Sequence, residues 1–371
     1  MVNILNVAEK PSVAKSLVQV LSNLSHSPSS CTEGASVYNK IYCVANVKFP
    51  DPRSNSRNPN PPVSHNMVMT SVTGHIAGID FKAPNNKWSG GCDDEGLFKA
   101  EIEEYVQAEK KLLESELEKQ AKKATVLVLW LDCDREGEKI ADEVRKICCR
   151  ANSRLRNCVF RAKFSAVMPN EVTKALDTLG PVNQCLVDAV DARQEIDLRI
   201  GAAFTRFQSR RYQTKHNIQQ TISYGPCQFP TLGFVVERWA RIETFIPENF
   251  YTISFAMRDP EATGNRDIQF QWQRTRLYDR LCTLALYQNC LRARRAVVVS
   301  TAGRTNNRWR PVPLATVEMQ KKASKYLRIG AEQTITAAQA LYDRGIISYP
   351  RTETEKFKAE FDLQGALEAF R

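Results

Sequence analysis

The chain has 371 residues, 52 Lys and Arg against 41 Asp and Glu, and a net charge of +11; this length suggests two to three domains. Hydrophobic residues at 43% and charged residues at 25% are ordinary for a water-soluble globular protein, and no apolar run approaches the roughly 18 residues needed to span a membrane. The positive excess suits a polyanionic partner, because Lys and Arg that neutralise phosphates release counterions; a soluble protein with a basic surface and no such partner has the same composition.

The 11 cysteines are odd in number, with Cys148 and Cys149 adjacent, and no CxxC pair is present to hold zinc. Cys43, Cys133 and Cys227 sit in apolar runs, as reduced cysteines do, so a reducing compartment is expected rather than a secreted disulfide framework. The opening MVNILNVAEKPSVAK reads as a strand and a helix, not as a signal peptide. An intracellular protein is expected.

In chain order, Asn3–Ala8 is a short apolar strand, Pro11 opens a helix to about Leu24, and Tyr38–Phe49 and Met67–Val72 are further strands. Between them PDPRSNSRNPNPPVSHN marks an exposed loop through its Pro and Asn content. Glu101–Lys123 reads as a strongly charged helix. TVLVLWL, Thr125–Leu131, is a continuous apolar strand of the kind buried on both faces of a parallel sheet. A helix follows from about Gly137, then a strand over Cys158–Phe164, and this alternation predicts an open α/β sheet. Pro169–Leu179 and Pro181–Tyr212 read as helices with Pro at the first position. Phe250–Val299 is β-like and mixed, with a hairpin turn at Gly264–Asn265. From Leu314 the pattern is helical again, and Gly345 is a helix stop.

Two constellations carry chemistry. The apolar strand runs directly into Asp132, Asp134 and Glu136, followed by Gly137 and a helix. Ligands of open α/β sheets gather at the carboxyl ends of strands. Carboxylates about 4 Å apart repel by roughly 1 kcal/mol in water and about 4 at intermediate dielectric. A divalent cation removes that cost, and an all-oxygen set suits hydrated Mg²⁺; capping of the helix start is the competing structural role for such residues. Glu9 and Lys10, at the end of the first strand, add an acid and a base. The second constellation is IISYPRTETE. Ionising a free Tyr at pH 7 costs roughly 4 kcal/mol, and nearby cations such as Arg351 reduce that cost and grip a phosphate.

These blocks in this order resemble the type IA DNA topoisomerases. VAEKPSVAK and MTSVTGHIAGIDF resemble parts of the family's toprim domain, LDCDREGE its acidic motif, and GIISYPRTET its active-site tyrosine segment. DARQEIDLRIGAAFTRFQ and ISYGPCQFPTLGFVVER agree as well, and their wording is nearest to eukaryotic topoisomerase III of the alpha type. The resemblance covers essentially the whole chain.

It implies an α/β toprim domain over 1–165, a partial helical DNA-groove domain over 166–244, a β-rich arch segment over 245–309, and the start of the tyrosine-bearing domain over 310–371. In the full protein this fold is multi-domain and toroidal. The resemblance further implies that Tyr349 attacks DNA to leave a 5′-phosphotyrosine, that Glu9 protonates the departing 3′ oxygen, and that Lys10 and Arg351 hold the phosphate. Asp132, Asp134 and Glu136 would bind Mg²⁺. Arg193, Ser223, Gly225 and Gln228 would contact DNA, with glycine permitting close backbone approach; Asp197 and Arg199 would be hinge or structural residues. Expected partners are single-stranded DNA, RNA as a further substrate, a RecQ-type helicase and an OB-fold protein, with no membrane. The expected location is the nucleus, and the expected roles are relaxation of negative supercoils and resolution of joined DNA in recombination and repair. Because a phosphotyrosine conserves bond energy, no ATP is expected, and no GxxxxGK[ST] loop is present.

The chain departs from the family pattern in three places. No His follows Tyr349, the segments that complete the arch are absent, and the Pro/Asn-rich loop near 50–62 is longer than usual. This piece is therefore expected to be an N-terminal portion, and its activity by itself stays open. Two other readings stay open on the residues alone: a toprim nuclease or primase using Glu9 and the acidic motif, for which Tyr349→Phe is harmless, and a non-enzymatic binder of single strands.

Overall fold

The structure is a computed structural model and describes residues 3–34, 36, 38–49, 63–88, 91–217, 219–258, 267–344, 346–357 and 363–368. The expected loop near 50–62, the turn at Gly264–Asn265 and the helix stop at Gly345 lie outside the described residues. By its contacts the chain divides into two compact units, Met1–Pro226 with Pro311–Arg371, and Cys227–Arg310.

The first unit is built on β1 (Asn3–Ala8), α1 (Pro11–Ser25), β2 (Ser29–Thr32), β3 (Ile41–Phe49), β4 (Val63–Ser71), β5 (Ala77–Phe81), β6 (Ile102–Val106), α2 (Lys111–Ala121), β7 (Val126–Trp130), α3 (Arg135–Ala151), β8 (Val159–Arg161), α4 (Pro169–Asp177) and α5 (Gln184–His216). Six of the strands form one sheet in the order β2-β3-β4-β1-β7-β8. β1 runs parallel to both β4 and β7, and β7 parallel to β8, so the chain leaves β1 toward either side. That reversal of strand order is where α/β sheets bind ligands.

The central strands are apolar on both faces because both faces are covered. From β7, Val126, Val128 and Trp130 enter one core with Leu17 and Leu21 of α1 and Val172 of α4. Leu127 and Leu129 of the same strand, with Leu131 just beyond it, enter the other with Leu113 and Leu117 of α2 and Val144 of α3. Each such side chain stabilises the fold by about 1.5–3 kcal/mol on burial. The one polar residue inside β1, Asn6, is satisfied: the Trp130 indole Nε1 donates to its Oδ1 at 2.9 Å.

Two sequence expectations need correction here. Glu101–Lys123 is not one helix, since Ile102–Val106 pairs antiparallel with β5 and only Lys111–Ala121 is α-helical. The charged residues of β6 stand on an exposed strand, and only Ile102 and Val106 at its ends are partly buried. Nor does Pro181 begin the long helix: Asn183 caps it, accepting from Leu186 N.

The second unit contains α6 (Gln228–Glu243), the antiparallel pair β9 (Phe255–Arg258) and β10 (Asp267–Phe270), and α7 (Arg280–Ala293). The stretch read as β-like thus includes a 14-residue helix, capped by Asp279, which accepts from Cys282 N. Val297–Val299, at the end of that stretch, lies outside regular structure. The chain then returns to the first unit with α8 (Thr316–Lys322), a π-helical turn at Ala323–Leu327, α9 (Ala331–Asp343) and α10 (Leu363–Glu368). Tyr342 of α9 is fully buried in the core beside α1, and Ser12 Oγ of α1 donates to Asp343 Oδ2 at 2.9 Å. No helix among the described residues is long and apolar enough to cross a membrane.

Candidate active site

The register of β1 with β7 sets Ala8 opposite Trp130, so Glu9 and Asp132 leave the sheet side by side at its carboxyl edge. The Asp132 backbone N–H donates to Glu9 Oε2 at 3.1 Å. Lys10 Nζ donates to Asp132 Oδ2 at 2.8 Å and lies 3.6 Å from Glu9 Oε1. Burial first, and then the charge of Asp132, raise the Glu9 carboxyl above its ordinary range against the pull of Lys10. Burial opposes the Lys10 charge, but the bond to Asp132 outweighs it and raises Lys10.

The backbone under these residues is clamped by Arg161, which is fully buried on β8. Its guanidinium donates to the carbonyls of Leu131 and Asp132, both at 2.7 Å, and to Glu138 Oε1 at 3.2 Å. Gly137 completes the turn: a Cβ there would stand 2.1 Å from the Asp132 carbonyl oxygen. Only glycine lets α3 start so close beneath the strand end.

Each acidic residue of the motif has protein partners. Asp134 caps α3, its Oδ1 accepting from Gly137 N at 2.7 Å, so the capping role and a place in the site coexist in one side chain. Its Oδ2 accepts from the Tyr349 hydroxyl at 2.5 Å. Glu136 lies 3.0 Å from His75 Nε2 and accepts from Arg193 Nη1 at 2.6 Å. Asp132 Oδ1 is buried with no hydrogen bond of normal geometry, and the buried Tyr342 hydroxyl lies against this carboxylate; burial, together with that charge, pushes the phenol up. Among the described residues no three His, Cys, Asp or Glu side chains already stand as a metal site. The predicted trio is therefore not a preformed cage, because Asp134 and Glu136 are turned to tyrosine, histidine and arginine. The donor chemistry nevertheless fits a hard divalent cation: all ligand atoms are carboxylate oxygens, and the orphaned Asp132 oxygen is a buried acceptor that a cation would satisfy.

Tyr349 reaches the acidic motif across 215 positions of sequence. Its loop is fixed at both ends: Tyr349 N donates to Ser165 O at 2.9 Å, and Thr352 N to Thr316 Oγ1 at 2.8 Å. Its ring meets Tyr342 edge-on with centroids 5.3 Å apart. Arg351 eases its ionisation but is outweighed. Burial, then the hydrogen bond to Asp134, then the charges of Asp134 and Asp132 hold the phenol well above its ordinary value, and Arg351 only partly opposes them. Arg351 itself is exposed, whereas Lys10 is engaged with Asp132.

Glu9, Lys10, Asp132, Asp134, Glu136, Arg193 and Tyr349 thus meet in the first unit. Ser223 is exposed and Gly225 half-buried in a segment laid along α5, where Ile222 N donates to Ser209 Oγ at 2.9 Å and Tyr224 N to Thr205 Oγ1 at 2.8 Å. Gln228 is exposed at the first residue of α6 in the second unit. Sequence reasoning missed Arg161, His75 and Glu143. A lone Arg within the apolar run CVFRAKF was the available signal for the first; nothing local distinguished Glu143 from other helix acids. His75 bridges the two acids, with Nδ1 2.9 Å from Glu143. Its hydrogen bond to Glu143 and, after it, its pairing with Glu136 raise the imidazole above its ordinary value against burial.

Comparison with known proteins agrees with this geometry. Residues 4–167 match the Toprim domain family and residues 181–371 the DNA topoisomerase family. The chain is 43% identical to DNA topoisomerase 3 of Dictyostelium discoideum over 98% of its own length and 45% of the relative's. It is 42% identical to the DNA topoisomerase 3-alpha of Arabidopsis thaliana over 99% of this chain and 38% of that one, and to that of Homo sapiens over 97% and 34%. The chain therefore spans less than half the length of these relatives. In three dimensions it resembles full-length topoisomerase I from Thermotoga maritima, with a TM-score of 0.63 and 22% identity over 96% of this chain and 50% of that one, a likeness of fold. With a Toprim sheet carrying the acidic motif and a tyrosine delivered to it from the topoisomerase half, the chain belongs to the type IA DNA topoisomerase family.

Proposed function

We propose that this chain carries the strand-cleaving centre of an ATP-independent type IA DNA topoisomerase, with Tyr349 as nucleophile. The observation that supports this most is the Tyr349 hydroxyl bonded at 2.5 Å to Asp134 of the acidic motif. A protonated phenol is a poor nucleophile, and Asp134 Oδ2 is placed to hold its proton as the oxygen turns to phosphorus. The Tyr349 Oη–P bond forms and the P–O3′ bond breaks. The departing 3′ oxygen takes a proton, for which Glu9 is suited because burial and Asp132 favour its protonated form. The reverse reaction reseals the strand after another has passed. Lys10 and Arg193 leave their carboxylates to meet the phosphate backbone, Arg193 gripping two oxygens at once, and Arg351 steadies the scissile phosphate. Asp132, Asp134 and Glu136 would hold Mg²⁺, which when bound offsets the charge gathered at the site and at the phosphate.

On the family resemblance we further propose single-stranded DNA as the substrate contacted by Ser223, Gly225 and Gln228, with RNA as a second substrate. Relaxation of negative supercoils and resolution of joined DNA during nuclear recombination and repair, together with a RecQ-type helicase and an OB-fold protein, rest on the same ground. The test uses a 3′-labelled single-stranded oligonucleotide with Mg²⁺, this chain, the full-length protein and the Tyr349→Phe form of each. Label that travels with the protein and disappears in the Phe form is expected from the full-length protein. Free cut product without any adduct would replace this reading by a toprim nuclease.

A further inference from the structure

The motif MTSVTGHIAGIDF places His75 between two carboxylates of α3. Glu136, the third acid of the motif, is the second residue of that helix and 30% exposed. A long side chain in such a place keeps its rotamer freedom unless something holds it. Two groups hold it, one on each oxygen: His75 Nε2 at 3.0 Å from Oε2 and Arg193 Nη1 at 2.6 Å from Oε1.

The two grips differ in kind. Arg193 is 57% exposed on α5, and its next partner, Asp197, is 3.9 Å away. Its planar guanidinium is suited to exchange a carboxylate for a phosphate. His75 is fixed from behind. Its Nδ1 lies 2.9 Å from Glu143 Oε1, and the Glu143 side chain is only 2% exposed. The other oxygen of Glu143 accepts from Ile76 N at 2.8 Å and Ala77 N at 3.3 Å. Both ring nitrogens therefore face carboxylate oxygens, one on each side, and this fixes the orientation of the ring. Glu136 and Glu143 lie two turns apart on the same face of α3, so one rigid helix carries both ends of the Glu136–His75–Glu143 chain.

We propose that His75, aimed by Glu143, is a positioning residue that keeps one oxygen of Glu136 in place while Arg193 releases the other to the site and turns to nucleic-acid phosphate. This rests on the reading of Glu136 as a ligand of a divalent cation and of Arg193 as a DNA contact. Removal of an outer partner of a metal ligand commonly weakens metal binding by about 10–100-fold.

The test measures Mn²⁺ binding by electron paramagnetic resonance without DNA, on this 371-residue chain and on His75→Ala, His75→Gln, Glu143→Gln and Arg193→Ala, with a melting curve for each. His75→Ala is expected to weaken Mn²⁺ binding about tenfold with little change in melting. His75→Gln, which retains an N–H donor, is expected to recover most of that loss. Glu143→Gln, nearly the same in shape, weakens binding in the same direction and serves should His75→Ala not fold. Arg193→Ala tightens binding, because the arginine competes for Oε1. His75→Ala binding as tightly as the wild type overturns the positioning role. So does a loss that follows a fall in melting temperature and is not recovered by His75→Gln, which would make His75 a scaffold residue only. A wild-type chain that takes up no Mn²⁺ overturns the metal reading itself, and the positioning role with it.

Discussion

Trp130 and Trp239 are the same residue in opposite circumstances. Trp130 ends β7 in the first unit with no exposed surface, its indole N–H satisfied by Asn6, whereas Trp239 on α6 of the second unit is 61% exposed. The contrast extends to the elements around them: every residue of β7 is buried, and no residue of α6 is. Among the described residues, the sheet that carries the acidic motif is where the packing energy is concentrated. A catalytic constellation needs that rigidity, because carboxylates misplaced by an ångström lose their function.

The largest expected effect tests this contrast directly. Trp130→Ala should lower the stability of the first unit by about 3–5 kcal/mol, and Trp239→Ala should change it by no more than about 0.5, both read by denaturant unfolding. Equal losses would break the comparison and mean that α6 is covered in solution. Next in size is Arg161→Met, which leaves the Glu138 charge buried without its partner and should cost about 3 kcal/mol. It should also reduce adduct formation, because the carbonyls of Leu131 and Asp132 lose their clamp. Gly137→Ala forces a methyl group against the Asp132 carbonyl and should cost about 1–3 kcal/mol while displacing the acidic turn. An unchanged melting point for Gly137→Ala would show that the turn yields freely.

The smallest effect concerns pH. Burial works against the Glu104 carboxylate, but Lys139 and then Lys146 outweigh it and hold its carboxyl below the ordinary range. Burial likewise opposes the Asp142 charge, and Arg145 and Lys146 win there. Groups with depressed folded values stabilise the protein above their unfolded values, and that stability is lost as pH falls through the folded ones. Melting temperature should therefore drop as pH is lowered below about 4. Lys139→Met should flatten that acid-side slope, while an unaltered slope would remove the Lys139 ion pairs from the account.

Much of the first unit was legible because its signals are local. An unbroken apolar strand running into Asp132, Asp134 and Glu136, and Pro11 at the start of α1, announce strand, site and helix without knowledge of the rest. β6 was not legible: its acidic residues have a helical composition, and only pairing with β5 makes it a strand. The helix over Arg280–Ala293 was not separated from the β-like, mixed stretch around it. The site residues of the motifs were found by type and order, but their partners were not. Nothing in the residues around position 193 says that Arg193 holds Glu136, since that contact spans 57 positions and depends on how α5 lies along α3. Arg351 suggested a reduced cost of ionising Tyr349; burial and two acidic side chains, brought from a distant part of the sequence, outweigh it.

The central claim is that Tyr349 becomes joined to DNA. Its most direct test is peptide mass mapping of the adduct formed by the full-length protein on a single-stranded oligonucleotide with Mg²⁺. A nucleotide bound through its 5′ phosphate to the peptide containing Ser348, Tyr349 and Pro350 is the predicted result. An adduct on any other tyrosine, or cleavage that leaves every tyrosine unmodified, would contradict it.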